Sequence, residues 1–197
     1  MQLAVRMADD RIAAGSEEMK DREGSAQSRF DAAISPHVRS GYNLARWLTR
    51  NDADAEDVVQ EAALRAWRFF RSYRGENDRA WFLTIVRRTW ITWLSRRRSE
   101  RESEEFDESI HTELDEAPNP ERLVIERAGV ERIRGALEAL PAPLREVVVL
   151  REQEELSYKE IASIAGVPIG TVMSRLARAR SRLLRTLSTQ SAAGRER

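Results

Sequence analysis

The chain contains no cysteine and only two histidines, His37 and His111. The first absence excludes a disulfide framework, a thiolate zinc site and a cysteine nucleophile. The second leaves almost no material for a histidine metal site or a Ser-His pair, so no catalytic residue, metal ligand or cofactor is expected. Long hydrophobic runs are missing too: none approaches the ~18 residues that a membrane span needs. The first residues, with Asp9, Asp10, Glu17 and Glu18, lack the apolar stretch of a signal peptide. The expectation is a cytoplasmic chain without membrane insertion.

Net charge is also absent, with 33 Lys plus Arg against 33 Asp plus Glu in 197 residues, but this balance hides a segregation. Residues 28–99 hold 14 basic against 8 acidic residues, and residues 120–197 hold 14 against 10. Between them, residues 100–119 hold one basic residue, Arg101, against nine acidic ones, and residues 1–27 hold four against six. The acidic bridge has few strong apolar residues, Phe106, Ile110 and Leu114, and ends in Pro118-Asn119-Pro120. It cannot bury enough surface to fold alone and reads as a flexible linker between two small domains, 28–99 and 120–187. Residues 1–27 and 188–197 read as tails.

Strand signals are scarce. The one β-branched run, Val147-Val148-Val149-Leu150, lies within a helical period, so the fold class is all-α. In the first basic block Val59, Ala63, Ala66 and Phe70 recur at helical steps over about 55–71, and the opposite stripe carries Asp57, Gln60, Glu61, Leu64 and Arg68. A second helix is expected over about 79–98, with Phe82, Ile85, Val86, Thr89 and Trp93 on one face. The stretch from Ser72 to Asp78, with Gly75, Glu76 and Asn77, reads as a loop.

That second helix carries Trp81, Trp90 and Trp93 interleaved with Arg87, Arg88, Arg96, Arg97 and Arg98. Two readings fit. Unstacked bases lie on indoles while guanidinium groups neutralise phosphates. Alternatively, Trp81 and Trp93 are core and the arginines form a solvated helix end that suits the macrodipole. Phe82, Ile85, Val86 and Trp93 fill the core stripe and leave Trp90 without an obvious buried place.

The second basic block is more specific. In Leu156-Ser157-Tyr158-Lys159-Glu160-Ile161, Ser157 and Glu160 have capping-box spacing and Leu156 and Ile161 stand at the staple positions. Gly166-Val167-Pro168 breaks that helix, and a second helix follows with Val172 and Leu176 in its apolar stripe. Ala162, Gly166 and Val172 have helix-turn-helix spacing. Ile169, Gly170, Thr171, Ser174, Arg175 and Arg178 then project from the second helix, offering groups that suit base edges and phosphates in a major groove.

Two motif sets resemble one family in the right order. Ala55-Glu56-Asp57-Val58-Val59-Gln60-Glu61-Ala62-Ala63-Leu64-Arg65-Ala66-Trp67, continued by Ala80-Trp81-Phe82-Leu83-Thr84-Ile85-Val86-Arg87, is similar to the second conserved region of extracytoplasmic-function (ECF) sigma factors. Leu140-Pro141-Ala142-Pro143-Leu144-Arg145, Ser157 to Ala162 and Gly170 to Arg180 resemble the fourth. The resemblance implies a transcription initiation factor that is not itself an enzyme, with a region 2 helical bundle and a region 4 helix-turn-helix.

Roles follow for the matching positions. Asp57, Gln60, Glu61 and Leu64 fall where such factors bind the coiled coil of the largest RNA polymerase subunit. Asn77, Arg87, Arg88, Trp90, Arg96 and Arg97 fall in the loop and helix that capture and melt the −10 element. Lys159, Gly170, Thr171, Ser174, Arg175 and Arg178 fall where the −35 element of promoter DNA is read. The implied partners are core polymerase, including the flap of its second largest subunit, promoter DNA and an anti-sigma factor, in a stress or envelope response. The acidic linker stands in place of the third domain of larger sigma factors. Departures from the family pattern are Arg88 for an Asn, Thr92 for an Asp, Ala63 for an aromatic, Met173 for a Lys or Arg and Glu155 for a Gly, and they bear on promoter sequence rather than on class. A helix-turn-helix regulator that binds duplex DNA without replacing a sigma factor is the alternative. It leaves the Asp57 to Trp67 segment and the Trp/Arg helix unexplained.

Overall fold

A computed structural model of the chain describes residues 24–103 and 124–193. Among them all regular structure is helical. Residues 24–34 form α1, and a 3₁₀ turn at Ser35–His37 leads into α2 (Val38–Thr49). Arg50 leaves α2 in the left-handed region, with φ 63°. Asn51 then caps α3 (Asp52–Phe69), its side-chain oxygen accepting from the Asp54 amide at 3.0 Å, and Asp52 and Asp54 face the positive end of the helix dipole. Asn77 opens α4 (Asp78–Ser103) in the same way, accepting from the Ala80 amide at 2.9 Å.

Leu44, Ala45 and Leu48 of α2, Ala55, Val58, Val59, Ala62 and Ala66 of α3, and Phe82, Leu83, Val86 and Trp90 of α4 are buried together. Gly41 lets α2 approach α4 closely: a Cβ there would stand 2.6 Å from a ring carbon of the fully buried Phe82.

The second unit comprises α5 (Val124–Glu138), α6 (Ala142–Val148), a π turn at Val149–Gln153, α7 (Tyr158–Ala165) and α8 (Ile169–Ala193). The β-branched run is helical, as expected, and is buried along its length. The capping box forms, with the Ser157 hydroxyl accepting from the Glu160 amide and the Glu160 carboxylate accepting from the Ser157 amide at 2.8 Å. These bonds also hold the Glu160 carboxyl below its usual range. Gly166 supplies the turn at φ 62°, and Val172 and Leu176 anchor α8. The two units share one hydrophobic cluster, α4 packing on α7 and α2 on α6.

Five expectations change, the first being that helix α1 begins at residue 24, inside the stretch 1–27 read as a tail. The apolar face of α3 passes through Ala62, with Ala63 half-buried, because neighbours α2 and α4 widen the stripe to Ala55 and Val58. Trp90 is buried at 8% exposure, because the buried face of α4 runs through Leu83, Val86 and Trp90 rather than through Ile85 and Trp93. Helix α4 continues through residues 100–103, into the stretch read as linker. Helix α8 runs to Ala193, so most of the 188–197 stretch read as a tail is helix. The rest of the acidic bridge up to residue 119 and the tail residues 1–23 lie outside the described residues.

Gly41→Ala should lower thermal stability, since overpacking against Phe82 at about 1–3 kcal/mol exceeds the roughly 1 kcal/mol of helix propensity gained. Gly135→Ala, whose Cβ meets nothing within 4 Å in α5, should raise it. Calorimetry of the two variants showing shifts of the same sign would refute this reading of the α2–α4 approach.

Candidate nucleic-acid and polymerase interface

Helix α3 presents Asp57, Gln60 and Leu64 to solvent, Leu64 at 55% exposure, while Glu61 is half-buried and pairs with Arg65 at 2.8 Å. All four stand on the expected stripe. The exposed Trp67 extends it, Phe69 is exposed on another side of the helix, and Val38, Arg39 and Tyr42 of α2 line an apolar groove with Glu56, Val59 and Gln60. The sequence reading missed Val38, Arg39 and Tyr42. Their signal was an apolar residue, Val38, that α2 does not need for its own core.

The loop before α4 is organised by aromatic rings. Tyr73 stacks on Trp81 with centroids 4.3 Å apart, Phe70 lies beside both, and Phe30 of α1 meets Phe70 and Trp67 edge-on. The Tyr73 hydroxyl accepts from the Asn77 amide at 3.0 Å, and burial together with Asp78 pushes its pKa up to about 12. Asn77 is thus fixed from three directions: its amide on Tyr73, its side-chain oxygen on α4 and its side-chain nitrogen on Glu160 of the second unit, 2.9 Å away.

The six residues assigned to the −10 element divide. Arg88 and Arg96 are exposed. Arg97 is exposed but lies over the Trp93 ring at 4.7 Å and pairs with Asp54 at 3.1 Å. Arg87 pairs with the buried Glu146 of α6, Asn77 is held as described, and Trp90 offers no free face. The indole N–H of Trp90 finds no partner among the described residues.

The six residues assigned to the −35 element come together on α7 and the first turns of α8. Lys159, Gly170, Ser174 and Arg178 are exposed, and Thr171 and Arg175 are half-exposed. The Thr171 carbonyl accepts from the Ser174 hydroxyl at 3.0 Å. Arg175 lies near enough to Glu146 to act on its carboxyl. Glu155, at the position where glycine is usual, adopts the left-handed backbone with φ 51°, so the turn keeps its shape without glycine.

This is a two-unit helical protein with an exposed acidic and apolar stripe on α3 and exposed basic side chains on α4 and α8. A family model for sigma-70 region 2 matches residues 33–100, and one for sigma-70 region 4 matches residues 130–183. The chain is 34% identical over 168 residues to the ECF RNA polymerase sigma factor SigE of Mycolicibacterium smegmatis, covering 85% of this chain and 65% of that one. It is 35% identical over 153 residues to the ECF RNA polymerase sigma-E factor of Escherichia coli, covering 73% and 80%. Among solved structures, the sigma factor RpoE in complex with the anti-sigma factor NepR from Bartonella quintana matches at 28% identity and a TM-score of 0.65, covering 81% of this chain and 97% of that one. The chain belongs to the ECF sigma factors.

Trp90→Ala should destabilise the first unit by about 3–5 kcal/mol, as loss of a buried aromatic does. Trp90→Phe, which removes the unpartnered N–H along with some volume, should lie within about 1 kcal/mol of wild type. Denaturant titration of the full chain decides: equal stability of wild type and Trp90→Ala would return Trp90 to the surface.

Proposed function

We propose that this protein binds core RNA polymerase, directs it to specific promoters and promotes strand opening, leaving phosphodiester chemistry to the polymerase. The supporting observation is the co-occurrence, on one chain, of an exposed acidic and apolar stripe on α3 and a helix-turn-helix with an exposed polar and basic recognition helix. A regulator that only bound duplex DNA would have no use for the first.

Asp57, Gln60, Glu61 and Leu64 contact the coiled coil of the largest subunit, and the 120–187 unit meets the flap of the second largest. Lys159, Gly170, Thr171, Ser174, Arg175 and Arg178 read the −35 element. The Asn77 loop with Arg87, Arg88, Arg96 and Arg97 engages the −10 element. Trp90 contributes by positioning α4 rather than by stacking on a base, since its indole is packed in the core. Residues 100–119 connect the units through the polymerase, where their negative charge suits a basic channel. The work is cytoplasmic and non-enzymatic. Regulation by a separate anti-sigma factor in a stress or envelope response accords with the complex of RpoE with NepR. No helix among the described residues is long and apolar enough to cross a membrane.

Reversing charge at both positions, Asp57→Arg with Glu61→Arg, should weaken core-polymerase binding about tenfold or more by setting like charges against the partner. Equal affinity in a fluorescence titration would remove the stripe from the interface. On the DNA side, losing a base contact at Arg175 or Arg178 should cost about 1–3 kcal/mol and relax preference at one position, whereas losing a phosphate contact should lower the salt slope by about one. Promoter occupancy and salt dependence untouched in both alanine variants would exclude α8 as the reader.

A further inference from the structure

The outward side of α8 is divided lengthwise. At about 100° per residue, Thr171, Arg175 and Arg178 fall on one flank and Ile169, Met173 and Ala177 on the other, with Gly170 and Ser174 between them. The first flank is the polar and cationic one proposed above for the −35 element. The second is apolar and open: Ile169 is 42% exposed, Met173 is 50% exposed, and Ala177 is exposed as well. Val172, Leu176 and Ala179 turn to the core instead. Neither Ile169 nor Met173 joins the hydrophobic cluster or the partly buried residues packed on it. Arg180, the next cation along this flank, pairs with Glu152 at 3.1 Å.

Single exposed apolar residues are ordinary on a protein surface. What sets these two apart is position, since they stand one turn apart on the helix that would enter a major groove. Packing does not need them there, and water disfavours them. A major groove gives them a use, because thymine presents its C5-methyl group in it and an apolar side chain covers that group well. Met173 is also unbranched and adaptable, so its thioether can follow the methyl surface. The middle of α8 allows a close approach. A Cβ at Gly170 would meet nothing within 4 Å, so packing does not call for the glycine, and Ser174 turns its hydroxyl back onto the Thr171 carbonyl at 3.0 Å. With so low a centre, the side chains on either flank reach base edges.

We propose that Ile169 and Met173 are base-reading residues whose apolar side chains take thymine C5-methyl groups, so that the element recognised by α8 carries T·A pairs opposite this flank. The proposal rests on the reading of α8 as the −35 helix and adds a second mode to it. The cationic flank, with Arg175 and Arg178, meets guanine edges or phosphates, while the apolar flank selects by a methyl group. Met173 lies nearer the centre of the outward side than Ile169 and takes the principal contact. Thymine and deoxyuridine, which pair alike, then become different ligands.

The test changes the DNA and leaves the protein intact. The full-length chain, assembled with sigma-free core polymerase, selects duplexes from a synthetic, unmethylated pool randomised across the promoter length. Each thymine of the enriched upstream element is then replaced singly by deoxyuridine, which lacks only the methyl group. Removing the methyl that faces Met173 should weaken binding about fourfold, the equivalent of ~0.8 kcal/mol for one buried carbon. Met173→Ala should bind the thymine and uridine duplexes alike at that position, and Ile169→Ala should do so at the thymine facing it. Equal affinity for thymine and uridine at every position in the wild-type complex overturns the proposal. So does a uridine penalty that persists unchanged in both alanine variants. The −35 reading is judged separately on the same duplexes. Weaker binding by Arg175→Ala or Arg178→Ala, beside no effect of uridine, would keep α8 as the reader and remove the apolar flank from it, whereas enrichment of no upstream element would remove both.

Discussion

Helix α4 serves two partners at once, and the rest of the molecule depends on that. Phe82, Leu83, Val86 and Trp90 complete the core with α2 and α3, while Arg79 and Arg87 turn toward the second unit. Residues 82, 83, 86 and 90 fall within about 100° around a helix of 3.6 residues per turn, so α4 must keep that one arc on its core neighbours while Arg79 and Arg87 reach the second unit. The close approach at Gly41 sets its distance from α2, and Asn77 sets where it begins. Moving α4 to improve one contact would break the other.

Features governed by neighbours in sequence were legible before the fold was known. The Ser157–Glu160 box, the Gly166 turn and the exposed stripe at Asp57, Gln60 and Leu64 are set within one or two helical turns, where spacing alone fixes geometry. Trp90 was misread because the stripe was centred on Ile85 and Trp93, whereas the buried face runs through Leu83, Val86 and Trp90 at helical spacing, turned toward the neighbours of α4. Glu146 and Glu154 were not legible. In sequence they look like ordinary solvated acids, and their burial arises from residues 59 and 75 positions away. The one-residue error at Ala63 has a like origin: a stripe read from one helix is narrower than a face pressed by two neighbours.

The buried polar contacts between the units set what a partner that needs them apart must supply. A ligand shifts such an equilibrium only by its differential affinity for the two states. A partner that holds both units would part them only if its docking points stand farther apart than the contacts of α4 with α7 and of α2 with α6 allow. An inhibitor that clasps both units in their present arrangement would add to a preference already present in the chain and would need less binding energy of its own.

The contact between the units combines a shared apolar cluster with buried ion pairs. Replacing a buried pair with apolar residues often leaves a fold as stable or more so, whereas removing one partner costs about 3–5 kcal/mol, because the remaining charge is stranded. An apolar seam between the units would therefore close at least as firmly. On opening, however, it would expose contiguous apolar surface on both halves, a liability for association with other chains. Arg79, Arg87, Glu146 and Glu154 hydrate readily once separated, so they limit the apolar area that parting the units would uncover, although the cluster shared by α2, α4, α6 and α7 would still be exposed.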